Sequence, residues 1–340
     1  MKRQSSGKKQ RGNLRAARRL MFLTALVVLL CNLLPAFAQT SDEIASLPSI
    51  EYPPLDDAGF LLLQEGEDAP EFVYADEPLG LWIYLSTDLR VEIERFSSIV
   101  QRKNLVWFIA HIYFRNGEAF RAIPADPNKP RAKAKPESIA AKNKVVYAQN
   151  GDLFSFRVEN KERKGLIIRN GKILYEDTYT QAVGKIPPLD ELALFDDGHV
   201  EMRLPGDMSA QGYLDLGARD VLAFGPILFR EDGVLDSRLN KSFTNNEPRS
   251  ALGVVGPGHF VGIMVEGRNK RSQGTGLQFV AERLLAQGCT EAFTLDGGQT
   301  AAMIFMGRNV MDSGIYNGYQ KTRNQQDIVG IGRSDLVPYP

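Results

Sequence analysis

Two apolar runs that each end on an acidic residue organise the C-terminal third of this chain. Phe260-Val261-Gly262-Ile263-Met264-Val265 leads into Glu266-Gly267-Arg268, and Phe293-Thr294-Leu295 leads into Asp296-Gly297-Gly298-Gln299-Thr300. Short unbroken apolar runs bounded by glycine are the pattern of buried strands. Between them Leu277, Val280, Ala281, Leu284 and Leu285 recur at helical spacing, after Thr275 and Gln278 in a capping-box arrangement and before Gly288 as a stop. The pattern predicts a strand, helix, strand unit. Such a crossover makes its two strands parallel and brings their carboxyl ends to one sheet edge, the edge where open α/β sheets bind ligands. Glu266 and Asp296 are therefore expected to face one pocket. The plainer reading, that each acid closes a turn, stays open at this point, because Asp-Gly and Glu-Gly pairs commonly follow strands.

Upstream, the apolar positions of Leu81-Trp82-Ile83-Tyr84-Leu85, Val91-Glu92-Ile93 and the run from Val106 to Phe114 predict further strands. Pro136 to Lys144 reads as a short helix leading into the strand Val145-Val146-Tyr147-Ala148. That strand ends in Gln149-Asn150-Gly151-Asp152, the strongest turn signal in the first half of the chain. Gly165 to Leu174 is a hairpin with Asn170-Gly171 at its tip, and Asp196-Asp197-Gly198-His199 is a second such turn. The expected fold is α+β: a large mixed β-sheet flanked by helices, with a βαβ unit near the C-terminus carrying the site. Residues 1–38 read as a signal peptide, 39–100 as a leader with accessory strands, and 101–340 as the main domain.

The N-terminus changes the charge picture. Its first nineteen residues hold eight Lys or Arg and no acid, Met21 to Leu34 is apolar, and Ala36-Phe37-Ala38 offers a small-residue cleavage site before Gln39. This is the pattern of an export signal, and it predicts a secreted or cell-envelope protein that meets a membrane only through this segment if it is left uncleaved. Cys31 follows Val28-Leu29-Leu30, where lipidation would call for small residues. The whole chain carries 41 basic and 41 acidic side chains; without the signal, 33 face 41. A net charge of about minus eight excludes a general polyanion or nucleic-acid binder, so an anionic substrate must be held by local arginines. Cys289 then stands as the one remaining cysteine, a small buried residue, and stability must come from the core.

Six segments in order, Asn150-Gly151-Asp152, Ile168-Arg169-Asn170-Gly171, Phe224-Gly225-Pro226-Ile227-Leu228, Pro248-Arg249-Ser250-Ala251-Leu252-Gly253, Glu266-Gly267-Arg268 with Ser272-Gln273-Gly274, and Leu295-Asp296-Gly297-Gly298, resemble the phosphodiester glycosidase family over roughly residues 100 to 335. The resemblance implies hydrolysis of a sugar from a sugar-1-phosphodiester; taken with the export signal, the expected substrate is a cell-envelope or exopolysaccharide glycan. Asn150, Asp152, Arg249, Glu266, Arg268, Asp296, Gly297 and Gly298 match the family's motif positions. Glu266 replaces a common Asp, Ser250 a common Thr, and Gln299-Thr300-Ala301 stands where the family continues Gly-Ser.

Cleaving an anomeric C–O bond to phosphate calls for a carboxylate at the oxocarbenium-like centre and a base for water. Asp296 and Glu266 are the candidates. The leaving phosphate is stable as an anion, so clamping by Arg249 and Arg268 matters more than acid assistance. Asn150, Asp152, Ser272 and Thr300 are candidates for substrate contacts, and Gly297 and Gly298 let backbone amides approach. His111, His199 and His259 show no zinc-like spacing; no cofactor is indicated, and a divalent cation at Asp152 or Asp296 is left open. The contrasting function is a non-catalytic envelope protein that binds phosphosugar polymers through the same cleft.

Overall fold

The computed structural model describes residues 50–63, 66, 69–152, 164–178, 180–181, 188–312, 315–316, 319–320 and 322–338. The basic, apolar and small-residue segments of the N-terminus lie outside them. The chain divides into two units, Met1–Tyr52 and Pro53–Pro340, and the elements below belong to the second.

In chain order the strands begin β1 Phe72–Asp76, β2 Leu81–Leu85, β3 Leu89–Val100, β4 Lys103–Phe114 and β5 Arg121–Pro124. Helix α1 Pro136–Lys142 precedes β6 Val145–Asn150, β7 Gly165–Arg169, β8 Lys172–Asp177, β9 Asp190–Phe195 and β10 Val200–Arg203. Helix α2 Ala210–Asp215 leads to β11 Ala218–Phe224 and β12 Ile227–Phe229, and α3 Leu239–Ser242 to β13 Arg249–Gly256 and β14 His259–Val265. Helix α4 Leu277–Ala286 is followed by β15 Glu291–Leu295, β16 Met303–Phe305, β17 Arg308–Asn309, β18 Ile315–Tyr316, β19 Tyr319–Gln320 and β20 Asp327–Arg333.

An eight-stranded sheet in the order β1-β2-β3-β4-β14-β13-β15-β12 forms the body. Two five-stranded sheets, β10-β9-β11-β7-β8 and β17-β16-β6-β20-β5, complete the layers. Alternation along β4 explains the packing. Val106, Phe108, Ala110, Ile112 and Phe114 point into a core shared with Leu192 and Leu222 of the second sheet and Tyr147 and Val329 of the third. Leu105, Trp107 and Ile109 point the other way, onto α4. That helix buries Leu277, Val280, Ala281 and Leu284 of the stripe its periodicity predicted, with Leu285 partly buried beside them, and each of the buried Leu and Val side chains contributes about 1.5–3 kcal/mol.

Two expectations are corrected here. Every pairing among the described strands is antiparallel, so the large sheet is not mixed. The strands β14 and β15 do run in the same direction, but they are not neighbours: β13 lies between them, antiparallel to both. The tight β13–β14 hairpin lays β13 against β14 first, and α4 then carries the chain across β13 to add β15 on its far side. The α4 start also differs, since its cap is Gly276 and no side chain caps it, so Thr275 and Gln278 form no capping box.

Asn170 and Gly171 both take positive φ at the tip of the β7–β8 hairpin, as an Asn-Gly turn requires. Cys289 is buried, and its sulfur lies where a Cβ on Gly253 would stand 2.6 Å away. Desolvation pushes the thiol up to about 12. Cys289 is therefore expected to stay unreactive toward a disulfide reagent in the native protein and to react stoichiometrically on unfolding; rapid native-state labelling would contradict this burial. Among the described residues no helix is long and apolar enough to cross a membrane.

Candidate active site

The antiparallel insertion of β13 places a cation between the two strand ends. Arg249 opens β13 and is registered against Val265, the last residue of β14, while Ser250 is registered against Leu295, the last of β15. Glu266, Arg249 and Asp296 thus occupy consecutive positions across one sheet edge.

Alternation then separates the two acids. Arg249 follows the phase of Ala251, on the α4 side, whereas Glu266 follows Met264, on the side of the shared core. Asp296 continues the phase of Ala292 and acts through space on Arg249. The carboxylate of Glu266 is wholly buried and paired with Arg271 through both oxygens, and Oε1 also accepts the Asp312 amide. The two carboxylates therefore do not meet as a free pair: Asp296 is partly exposed and Glu266 is sealed in.

Arg249 is held differently from the other arginines of the region. Its Nε donates to the Thr275 carbonyl at 3.0 Å and its Nη2 to the Asn245 carbonyl at 2.8 Å. Neutral oxygens fix the guanidinium, and no carboxylate of the described residues stands within ion-pair distance of it. Desolvation lowers its pKa to about 10; Glu247 and Asp296 oppose that shift through space and Arg268 adds to it. The side chain stays a cation at neutral pH, aimed by backbone and only incompletely neutralised.

Arg268 occupies a left-handed backbone conformation, φ +60, rare for a side chain of this size and common at functional sites. Its Nε donates to Glu247 Oε2 at 2.5 Å and its Nη1 to Gln299 Oε1 at 3.2 Å. The bulk of Gln299, the departure from the family pattern, is thereby turned inward: the residue is buried and orients Arg268.

The Asp296-Gly297-Gly298 loop is compact. Asp296 Oδ1 accepts the Gly297 amide at 2.9 Å, and the Pro248 carbonyl accepts the Gly298 amide at 3.0 Å. Both amides expected to approach a ligand are therefore spent within the protein. What the glycines supply instead is closeness, since a Cβ on Gly297 would stand 2.7 Å from the Pro248 oxygen.

The remaining sequence candidates fall into two groups. Asn150 lies at the site: its Nδ2 donates to the Asp296 carbonyl at 2.7 Å and its Oδ1 accepts the Ala302 amide, so it fixes the loop from behind. Thr300 is buried, and its hydroxyl has no hydrogen-bond partner among the described residues. Asp152 and Ser272 hold the scaffold. Asp152 accepts the Ala223 amide and lies 3.4 Å from Arg169, which also pairs with Asp327. Ser272 donates to the Glu266 carbonyl and accepts the Val106 amide, tying the loop after β14 to β4.

Sequence reasoning missed Glu247, Arg271, Gln149 and the Asp152–Arg169–Asp327 network. The amide of Gln149 donates to the Ala251 and Ile263 carbonyls, joining β6 to the main sheet beneath the site. Among the described residues no group of three His, Cys, Asp or Glu side chains is arranged to hold a metal ion.

Comparison with known proteins agrees with the architecture. The family model described as phosphodiester glycosidase matches residues 143–331. The SPbeta prophage-derived uncharacterized protein YomE of Bacillus subtilis (strain 168) is 30% identical over 179 residues, 51% of this chain but only 26% of that protein's length. Among solved structures, the zebrafish N-acetylglucosamine-1-phosphodiester alpha-N-acetylglucosaminidase catalytic domain, auto-inhibited by its pro-peptide, is similar in fold, with TM-score 0.57 and 17% identity over 78% of this chain and 88% of that one.

Proposed function

Because this chain belongs to the phosphodiester glycosidase family, we propose that it is an exported hydrolase that removes a sugar from a sugar-1-phosphodiester, of the N-acetylglucosamine-1-phosphate type, in a cell-envelope or exopolysaccharide glycan. The observation that carries this reading is Arg249, a desolvated cation fixed by two carbonyl oxygens beside a partly exposed carboxylate. A cation without a close counter-ion in a desolvated position is a receptor for an anion, and a phosphodiester supplies one.

In this reading Arg249 and Arg268 hold the phosphate, and Asp296 stands against the anomeric carbon, where positive charge develops as the C1–O bond to phosphate lengthens. The departing phosphomonoester keeps the electron pair of that bond and needs little protonation. Asn150 and the Gly297-Gly298 loop keep Asp296 in place. Glu266, sealed against Arg271, anchors the base of the Arg268 loop.

The test is hydrolysis of a synthetic GlcNAc-1-phosphodiester by the chain beginning at Gln39. Wild type is expected to turn it over, and Arg249→Ala to lower kcat/KM about 10²-fold, mainly through KM. Folded wild type that binds such diesters saturably and turns over none would instead mark a protein that holds phosphosugar polymers without cutting them.

A further inference from the structure

We infer that Glu247, rather than Glu266, is the second carboxylate of this site and the base that activates water; the inference rests on the glycosidase reading above. The reaction needs a carboxylate that reaches solvent and substrate while being held in one place. Glu266 fails the first requirement, with its side chain wholly buried, both oxygens bound to Arg271 and one also to the Asp312 amide. Freeing it would leave a wholly buried carboxylate without its cation.

Glu247 meets both requirements. Its side chain is 31% exposed, and its carboxylate pairs with Arg268 through Oε2 and acts through space on Arg249 together with Asp296. Two arginines and two accessible carboxylates therefore act on one another at this site. The backbone beneath Glu247 is unusually well fixed. Its amide donates to the Thr275 carbonyl and its carbonyl accepts the Thr275 amide. The loops after β14 and β15 approach this segment closely: a Cβ on Gly274 would stand 2.8 Å from the Glu247 backbone, and one on Gly297 would stand 2.7 Å from the Pro248 oxygen. Ordinary surface salt bridges sit on side chains free to wander; this carboxylate stands on a peptide packed closely against two glycines, beside the cation that holds the phosphate in the proposed reaction.

The step balances simply. Water attacks C1 as the C1–O bond to phosphate breaks; its oxygen bonds to carbon, its proton passes to Glu247, and the electron pair of the broken bond leaves with the phosphomonoester. Asp296 opposes the charge that develops on the sugar.

The experiment compares Glu247→Ala and Glu247→Gln with wild type on a GlcNAc-1-phosphodiester, with and without azide, after thermal melts show all three folded. As a base, Glu247 gives a kcat loss of roughly 10²–10⁴-fold in both variants with KM little changed. Azide, an anionic nucleophile that needs no deprotonation, then restores turnover to Glu247→Ala and yields a glycosyl azide. If Glu247 only orients Arg268, Gln restores most activity because its amide oxygen still accepts from Nε, Ala acts on KM, and azide restores nothing; that result overturns the inference and leaves the glycosidase reading intact. Wild type that turns over no diester overturns both.

Discussion

Asp296→Asn is expected to yield a folded protein whose hydrolysis of a sugar-1-phosphodiester is slower by roughly 10³-fold or more, with the loss in kcat. The substitution is nearly isosteric. Its Oδ1 still accepts the Gly297 amide, so the loop survives, and the Asn150 contact is to the backbone carbonyl and is untouched. What disappears is the negative charge that faces Arg249 and, in the proposed reaction, the anomeric carbon. Charge that is stronger in the transition state than in the ground state acts on kcat, and its removal leaves substrate binding by Arg249 and Arg268 largely in place. Steady-state kinetics beside a thermal melt make the check. Activity within about tenfold of wild type at an unchanged melting temperature would remove Asp296 from the chemistry.

How much of this site was legible in the sequence follows from what each feature depends on. The Asp296-Gly297-Gly298 loop, the α4 stripe and the Asn170-Gly171 hairpin are local: a few consecutive residues carry the whole signal, and the structure contains them. The common edge was legible too, because a crossover fixes strand direction. The neighbour was not. Whether a strand is inserted between two parallel strands is decided by an earlier hairpin, and nothing in the periodicity of β14 or β15 announces β13.

That insertion had chemical consequences. Reading Glu266 and Asp296 as a pair assumed equivalent strand ends, but side chains alternate, and the ends have opposite phase. Glu247 escaped notice for the converse reason. It precedes a proline in an irregular segment, outside any apolar period, and its importance comes from Arg268 and from glycines 27 and 50 positions further along the chain. Charged residues gain meaning from partners distant in sequence, and a pattern with a period of two or 3.6 residues cannot name those partners.

The buried cluster behind the site shows this most sharply and carries the largest expected change in stability. Arg169→Met is expected to destabilise the protein by about 3–5 kcal/mol, a fall in melting temperature on the order of 10 °C. Arg169 is almost wholly buried at the end of β7, its Nε and Nη2 donating to Asp327 Oδ2 at 3.0 and 2.8 Å and its Nη1 to the Val221 carbonyl at 2.6 Å. Asp152 stands 3.4 Å away on the loop that follows β6. Burial disfavours the guanidinium charge while Asp327, Asp152 and Asp220 favour it, and the balance holds the pKa above its ordinary value. Removing the cation leaves these carboxylates in a low-dielectric interior with their shared partner gone. Packing there is too tight for a simple collapse, since a Cβ on Gly151 would stand 1.8 Å from Asp327 Oδ1. Because the Gly151 carbonyl accepts the Asp296 amide, the same cluster also supports the Asp296 loop, and the variant should lose the proposed activity in the temperature range where it begins to melt. A thermal melt of Arg169→Met within about 2 °C of wild type would show that the cluster relaxes around the lost charge and that Asp296 takes its position from the β15 strand alone.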